Sequence, residues 1–222
     1  MTIDPAPASE HEQLLRLIAL VDRFRGKGGC AWYEAQTNSS LVPYLQEETA
    51  ELVEAIEAGT PDDIREELGD VLFQVLFHTE IGGALGAGFD LEAVARDQID
   101  KLERRNPHVF GATPTRDIDE IIRMWNDAKA IEKAQRNSVL DGVAFGMPAL
   151  ALADKVLGKG AGLVDTAPEA LAAEVSGEAQ AEDAFGDALL ATVAAGREAG
   201  FDAERALRGA VRRLADRIRA AE

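Results

Sequence analysis

The sequence predicts an all-α protein, an antiparallel helical bundle followed by a degenerate second helical repeat. Three observations carry this. Apolar residues recur three and four apart over most of the chain. Alternating strand patterns are absent and β-branched runs are short. Helix start and stop signals bracket the periodic stretches.

Residues 1–9 read as a flexible tail. From Glu10 to Phe24, Leu14, Leu17, Ile18 and Val21 fall at helical spacing, and Gly26, Gly28 and Gly29 stop the helix. A polar segment through Thr37, Asn38, Ser39 and Ser40 leads to a second helix, about Leu41 to Ala58, with Pro43 tolerated in its first turn. Thr60-Pro61-Asp62-Asp63 then combines a capping threonine, proline at the first helical position and acid against the helix dipole. This opens a third helix, about Pro61 to Ile81, expected to bury Leu68, Val71, Leu72, Val75 and Leu76. Glycines at 82, 83, 86 and 88 end it. A fourth helix spans about Asp90 to Arg105 and closes at Asn106-Pro107, because proline disfavours helix in the residue before it. Arg116 to Arg136 forms a fifth. After a linker, 137–148, the composition turns alanine-rich through 149–222.

Composition narrows the function classes. The chain has 222 residues, 46% of them hydrophobic, with 23 Lys+Arg against 40 Asp+Glu and a net charge of −17. That length supports a real core in one large or two small domains. No apolar run approaches the ~20 residues of a membrane span, and the acidic start Met1-Thr2-Ile3-Asp4-Pro5 is unlike a signal peptide. The single cysteine, Cys30, excludes an internal disulfide framework and a multi-cysteine zinc site. A soluble cytoplasmic protein is expected. The acidic balance argues against duplex nucleic acid, which needs a basic face. Small phosphorylated ligands remain compatible, since a bound divalent cation reverses the local sign of an acidic site.

An internal repeat links the two halves. Leu68-Gly69-Asp70-Val71-Leu72-Phe73 is similar to Phe185-Gly186-Asp187-Ala188-Leu189-Leu190. Each is followed by Gly-Phe-Asp, at Gly88-Phe89-Asp90 and at Gly200-Phe201-Asp202, and then by a basic residue eleven positions past that aspartate, Lys101 and Arg213. Matching order and spacing of three features indicate a duplication.

The most informative segment is Glu47-Glu48-Thr49-Ala50-Glu51, followed at a distance by Glu67-Leu68-Gly69-Asp70. Glu48 and Glu51 share a helix face, as do Glu67 and Asp70. The short connection through Gly59 makes the two helices antiparallel neighbours, so four or five carboxylates converge between them. Such a cluster destabilises the fold unless a counter-ion is present, and a hard divalent cation with oxygen ligands resolves the conflict. The plain alternative is a set of solvated surface acids on amphipathic helices. No glutamate lies three residues before His11, His78 or His108, which argues against a di-iron site. Oxygen-only donors point to Mg2+ or Mn2+, and Mg2+ commonly bridges substrate phosphates. Lys101, Arg104 and Arg105 supply cations for the rest of a phosphate chain, or simply complement their helix dipole.

These motifs together resemble the MazG family of nucleoside triphosphate pyrophosphohydrolases, within the all-α NTP pyrophosphatase superfamily. The matching pieces are Cys30-Ala31-Trp32 with Gln36-Thr37, Glu47-Glu48-x-x-Glu51, Glu67-Leu68-Gly69-Asp70-Val71-Leu72-Phe73-Gln74, and Lys101 through Phe110. Met124-Trp125, Lys129, Glu132-Lys133 and Ser138 through Val143 also fit. The resemblance implies hydrolysis of NTPs between the α and β phosphates with Mg2+, giving NMP and pyrophosphate. It implies Glu48, Glu51, Glu67 and Asp70 as metal ligands and Glu47 as partner of the attacking water. Lys101, Arg104 and Arg105 would hold the phosphates. Trp32 or Trp125 would stack on the base, although either would serve equally as a core anchor. A homodimer or higher homo-oligomer is expected, and residues 10–136 form the catalytic domain.

The chain departs from the family in places. Ala31-Trp32-Tyr33 stands where the family has Pro-Trp-Asp. In the second copy Ala184 replaces Glu67, Asp187 keeps the place of Asp70, and Asp216 occupies that of Arg104. With ligands lost and a cation reversed in sign, residues 149–222 are expected to pack or dimerise rather than catalyse. The rival from another class is a sensor or scaffold that binds Mg-nucleotide without turnover.

Overall fold

The computed structural model describes residues 11–84, 86, 88–112, 114–173 and 181–220. The tail expected over residues 1–9 and the stretch 174–180 of the second repeat lie outside them. Among the described residues the structure is helical, and the β geometry present is one isolated bridge between Ala161 and Val164. The chain divides into two compact units, Met1–Glu132 and Lys133–Glu222. The segment expected as a linker therefore falls in the second unit, where Val143 is buried. No helix among the described residues is long and apolar enough to cross a membrane.

The first unit contains α1 (Glu12–Arg25), α2 (Ala31–Ala35), α3 (Val42–Ala58), α4 (Pro61–Ala84), α5 (Leu91–Arg105), α6 (Pro107–Phe110) and α7 (Ile118–Glu132). Helix α3 packs along α4, which also meets α1 and α5, and α5 packs on α7. The start of α4 is a reciprocal cap. Thr60 donates its backbone N–H and its hydroxyl to Asp63 Oδ2 at 2.7 and 2.8 Å, and the Asp63 N–H donates back to Thr60 Oγ1 at 3.3 Å. This hinge holds α3 and α4 in their antiparallel register.

The core comprises Val21, Leu41, Leu76, Phe77 and Ile81, with Leu17, Ile18, Tyr33, Phe73 and Leu91 against it. Phe77 is 1% exposed, and burying a side chain of that size contributes about 1.5–3 kcal/mol. One expectation is corrected here. Leu76 is buried, but Leu68, Leu72 and Val75 are 52%, 39% and 42% exposed. Helical geometry explains the difference. Positions 68, 72 and 75 share one side of α4, whereas the side meeting α3 and α1 carries Gln74, Phe77 and Ile81. The apolar periodicity of α4 is two-sided, and in the single chain one side stays uncovered.

The second unit contains α8 (Ala149–Gly160), α9 (Pro168–Ala173), α10 (Ala181–Glu198) and α11 (Ala203–Arg219), around Leu157, Val193 and Ala194. The Gly-Phe-Asp step shares two features in the two units, a left-handed glycine and a capping aspartate. Gly88 and Gly200 have φ of 86° and 75°, a region that glycine enters without strain. Asp90 and Asp202 then cap α5 and α11, accepting from Ala93 N–H at 2.8 Å and Arg205 N–H at 2.9 Å.

Candidate functional site

Helix α3 presents Glu47, Glu48 and Glu51, and α4 presents Glu67 and Asp70. On α4 these two acids project on the same side as Gln74, Phe77 and Ile81, which is the side turned to α3. The packing that buries the core therefore drives the carboxylates toward one another. One carboxylate oxygen from each of Glu48, Glu67 and Asp70 lies within 4.8 Å of the others. Among the described residues, no other three His, Cys, Asp or Glu side chains meet this way.

The electrostatics of the cluster are unbalanced. Burial, then the charges of Asp70, Glu51, Glu47 and Glu67, push the Glu48 carboxyl above its ordinary range. Burial, then Glu51, Asp70, Glu66 and Asp63, do the same to Glu67. The Oε2 atom of Glu67 is buried without a hydrogen-bond partner, a costly state for a polar oxygen. Three converging oxygens, one of them orphaned, have the donor chemistry of a hard divalent cation site. Glu51 lies within electrostatic reach of Glu48 and Glu67, and Glu47 within reach of Glu48, but neither belongs to the three-oxygen grouping. A cleft of about 390 Å³, lined in part by Glu51, Glu54, Ala55, Asp63 and Glu67, opens at the hinge end of the same helix pair.

The cations lie on α5. Lys101 is half-buried. Arg105 donates its Nε to Glu132 Oε2 at 2.9 Å and its Nη2 to the same oxygen, while Arg104 Nη2 meets Glu132 Oε1 at 3.3 Å. These arginines are thus paired to the end of α7 and not to the acidic cluster. The Arg105 guanidinium also covers Trp125, 5.2 Å from the ring centroid.

Trp32 sits elsewhere, edge-on to Tyr33 at 5.0 Å and to Tyr44 at 6.0 Å, and it is about half exposed. Arg25 fixes this corner by donating to the carbonyls of Tyr33 at 2.6 Å and Gln36 at 3.3 Å. Tyr44 precedes Glu48 by four residues on α3, so it stands one turn from the acidic cluster. The four-residue spacing of Tyr44 and Glu48 is the signal in the sequence that marks this position. The pairing of Glu132 with both arginines has no such signal, because residues 27 and 28 positions apart carry no local periodicity.

Fold and site define a class: an all-α protein whose central antiparallel helices carry a carboxylate cluster suited to a hard divalent cation. Comparison with known proteins narrows it. Residues 36–110, which include all five carboxylates and all three cations, match the MazG nucleotide pyrophosphohydrolase domain. The chain is 36% identical over 219 residues to the nucleoside triphosphate pyrophosphohydrolase/pyrophosphatase MazG of Thermotoga maritima, covering 93% of this chain and 84% of that one. It is 34% identical over 230 residues to the nucleoside triphosphate pyrophosphohydrolase of Escherichia coli K12, covering 95% and 87%. An uncharacterized 26.1 kDa protein of Streptomyces cacaoi is 40% identical over 215 residues, covering 95% and 83%. The chain belongs to the MazG family.

Proposed function

We propose that this protein is an Mg2+-dependent nucleoside triphosphate pyrophosphohydrolase, with Mn2+ as a working substitute. It converts ribo- and deoxyribonucleoside triphosphates, non-canonical ones included, to the monophosphate and pyrophosphate, and so cleans the cytoplasmic nucleotide pool. The observation that carries this reading is the grouping of Glu48, Glu67 and Asp70 oxygens within 4.8 Å. The relatives named as nucleoside triphosphate pyrophosphohydrolases support the substrate class.

In this reading Glu48, Glu51, Glu67 and Asp70 hold the cation, which when bound neutralises charge on the triphosphate oxygens. Glu47 is exposed beside the cluster and orients a water in line with the α-phosphorus. The water oxygen bonds to that phosphorus, and the bond from it to the α–β bridging oxygen breaks. The proton passes to the Glu47 carboxylate and pyrophosphate leaves. Lys101, Arg104 and Arg105 hold the phosphate chain, and Trp32 or Trp125 receives the base. Rigid helices suit this task because they fix the carboxylates before substrate arrives.

We also propose that the chain works as a homodimer. The uncovered side of α4, with Leu68, Leu72 and Val75 partly in solvent, supports a partner there. Light scattering tests this, with the dimer mass expected and a monomer contrary to it.

The function itself is tested by incubating purified protein with each NTP and dNTP, with Mg2+ or with EDTA, and separating the products. Metal-dependent monophosphate plus pyrophosphate is the expected result. Diphosphate plus orthophosphate overturns it. Tight Mg-nucleotide binding without turnover favours a sensor instead.

A further inference from the structure

We propose that Glu132 is a positioning residue: it fixes Arg105 against Trp125 and tethers Arg104, so that the cationic end of α5 is preorganised for a triphosphate. The identity of the ligand rests on the function proposed above; the clamp rests on geometry. Each carboxylate oxygen of Glu132 serves one arginine. Oε2 takes Nε and Nη2 of Arg105, and Oε1 takes Nη2 of Arg104. The Arg105 side chain is only 14% exposed and that of Arg104 is 58% exposed, so one pair is largely shielded from water and the other open to it.

Two further points favour this role. Trp125 and Glu132 stand seven residues apart on α7, two turns, and therefore on one face. The Arg105 guanidinium spans that face, with its Cζ over the ring at 5.2 Å and its Nε and Nη2 on the carboxylate. A planar fork makes this pair of contacts, and a lysine cannot. In addition, an acid in the last turn of a helix opposes the macrodipole. Glu132 is thus poorly placed for α7 itself and well placed for two adjacent like charges that would otherwise repel. The Arg105 hydrogen bond, followed by weaker contributions from both arginines, keeps its carboxyl below the ordinary range despite partial desolvation.

The test uses full-length protein and measures kinetics with NTP, affinity for the Mg2+ complex of α,β-methylene-ATP, and Trp125 emission in a Trp32→Phe background. For Glu132→Ala the expected result is a roughly tenfold rise in KM and in analogue Kd, with kcat within about twofold. Emission from Trp125 shifts as the guanidinium leaves its face, and Glu132→Asp restores part of each effect. Arg105→Lys reproduces the rise, and the double variant loses less than the product of the two single effects, as expected of coupled groups. A Glu132→Ala protein with a lowered Tm but unchanged analogue affinity overturns the proposal, since the residue would then only staple α7 to α5. Additive losses in the double variant also overturn it. A wild-type protein without turnover removes the pyrophosphohydrolase reading, while analogue affinity and Trp125 emission still decide the role of Glu132.

Discussion

Glu48 on α3 and Glu67 on α4, nineteen positions apart in the chain, bring carboxylate oxygens within 4.8 Å of each other. Each lies in the field of the other and of further acids, and burial adds to the cost of both charges. A fold keeps such an arrangement only if something offsets it.

The first expectation concerns Asp70. Asp70→Asn keeps the shape and removes one negative charge from the cluster. Divalent-cation affinity and turnover should fall by about 100-fold or more. In EDTA the same variant should melt higher than wild type, because repulsion is relieved. Isothermal titration with Mn2+ and thermal melts measure the two effects. A lower melt in EDTA would show that Asp70 makes a stabilising contact in the metal-free fold.

The hinge makes a simpler claim. Thr60→Ala removes the hydroxyl that exchanges hydrogen bonds with Asp63. The expected loss is about 1 kcal/mol, or roughly 2–4 °C in Tm for a protein of this size. Metal affinity should fall as well, because the α3–α4 register sets the distances among the carboxylates. Calorimetry and cation titration of the same sample would show whether stability and site geometry are linked.

A pH effect arises away from the site. Burial, then the charge and hydrogen bond of Asp22, raise the Glu80 carboxyl, and Arg25 only partly opposes this. A raised carboxyl favours the protonated native state. Its contribution is therefore complete below the ordinary carboxylate range and is lost as pH rises through the raised value. Glu80→Gln mimics the protonated form. It should melt like wild type near pH 4 and higher than wild type near pH 7.5. Equal melts at both pH values would contradict the assignment.

The second unit gives a negative control. By the repeat read from the sequence, Asp187 corresponds to Asp70 and Ala184 to Glu67. Asp187→Asn should leave turnover within about twofold of wild type, against the large loss at Asp70. A comparable loss at both positions would mean that the second repeat contributes to catalysis.

Much of the first unit is legible in the sequence, for identifiable reasons. Thr60 and Asp63 announce their cap because the signal is local, and the structure closes it in both directions. Glu48, Glu67 and Asp70 are legible because three- and four-residue spacing determines which side chains share a face. The short helices α2 and α6 leave no legible signal, since five and four residues are too few for periodicity. The faces of α4 are not legible because apolar side chains occur on both. Leu68, Leu72 and Val75 look like core in a one-dimensional reading, whereas Gln74, which is buried, does not. The Arg105–Glu132–Trp125 arrangement depends on how α5 meets α7, and no single-helix pattern encodes it.

The most direct test of the central claim is hydrolysis of an NTP in water enriched in 18O with Mg2+, read by phosphorus NMR. Attack at the α-phosphorus places the label on the nucleoside monophosphate and leaves the pyrophosphate unlabelled, which is the expected result. Label on pyrophosphate would locate the attack at the β-phosphorus. Labelled orthophosphate with a nucleoside diphosphate would contradict the pyrophosphohydrolase account altogether.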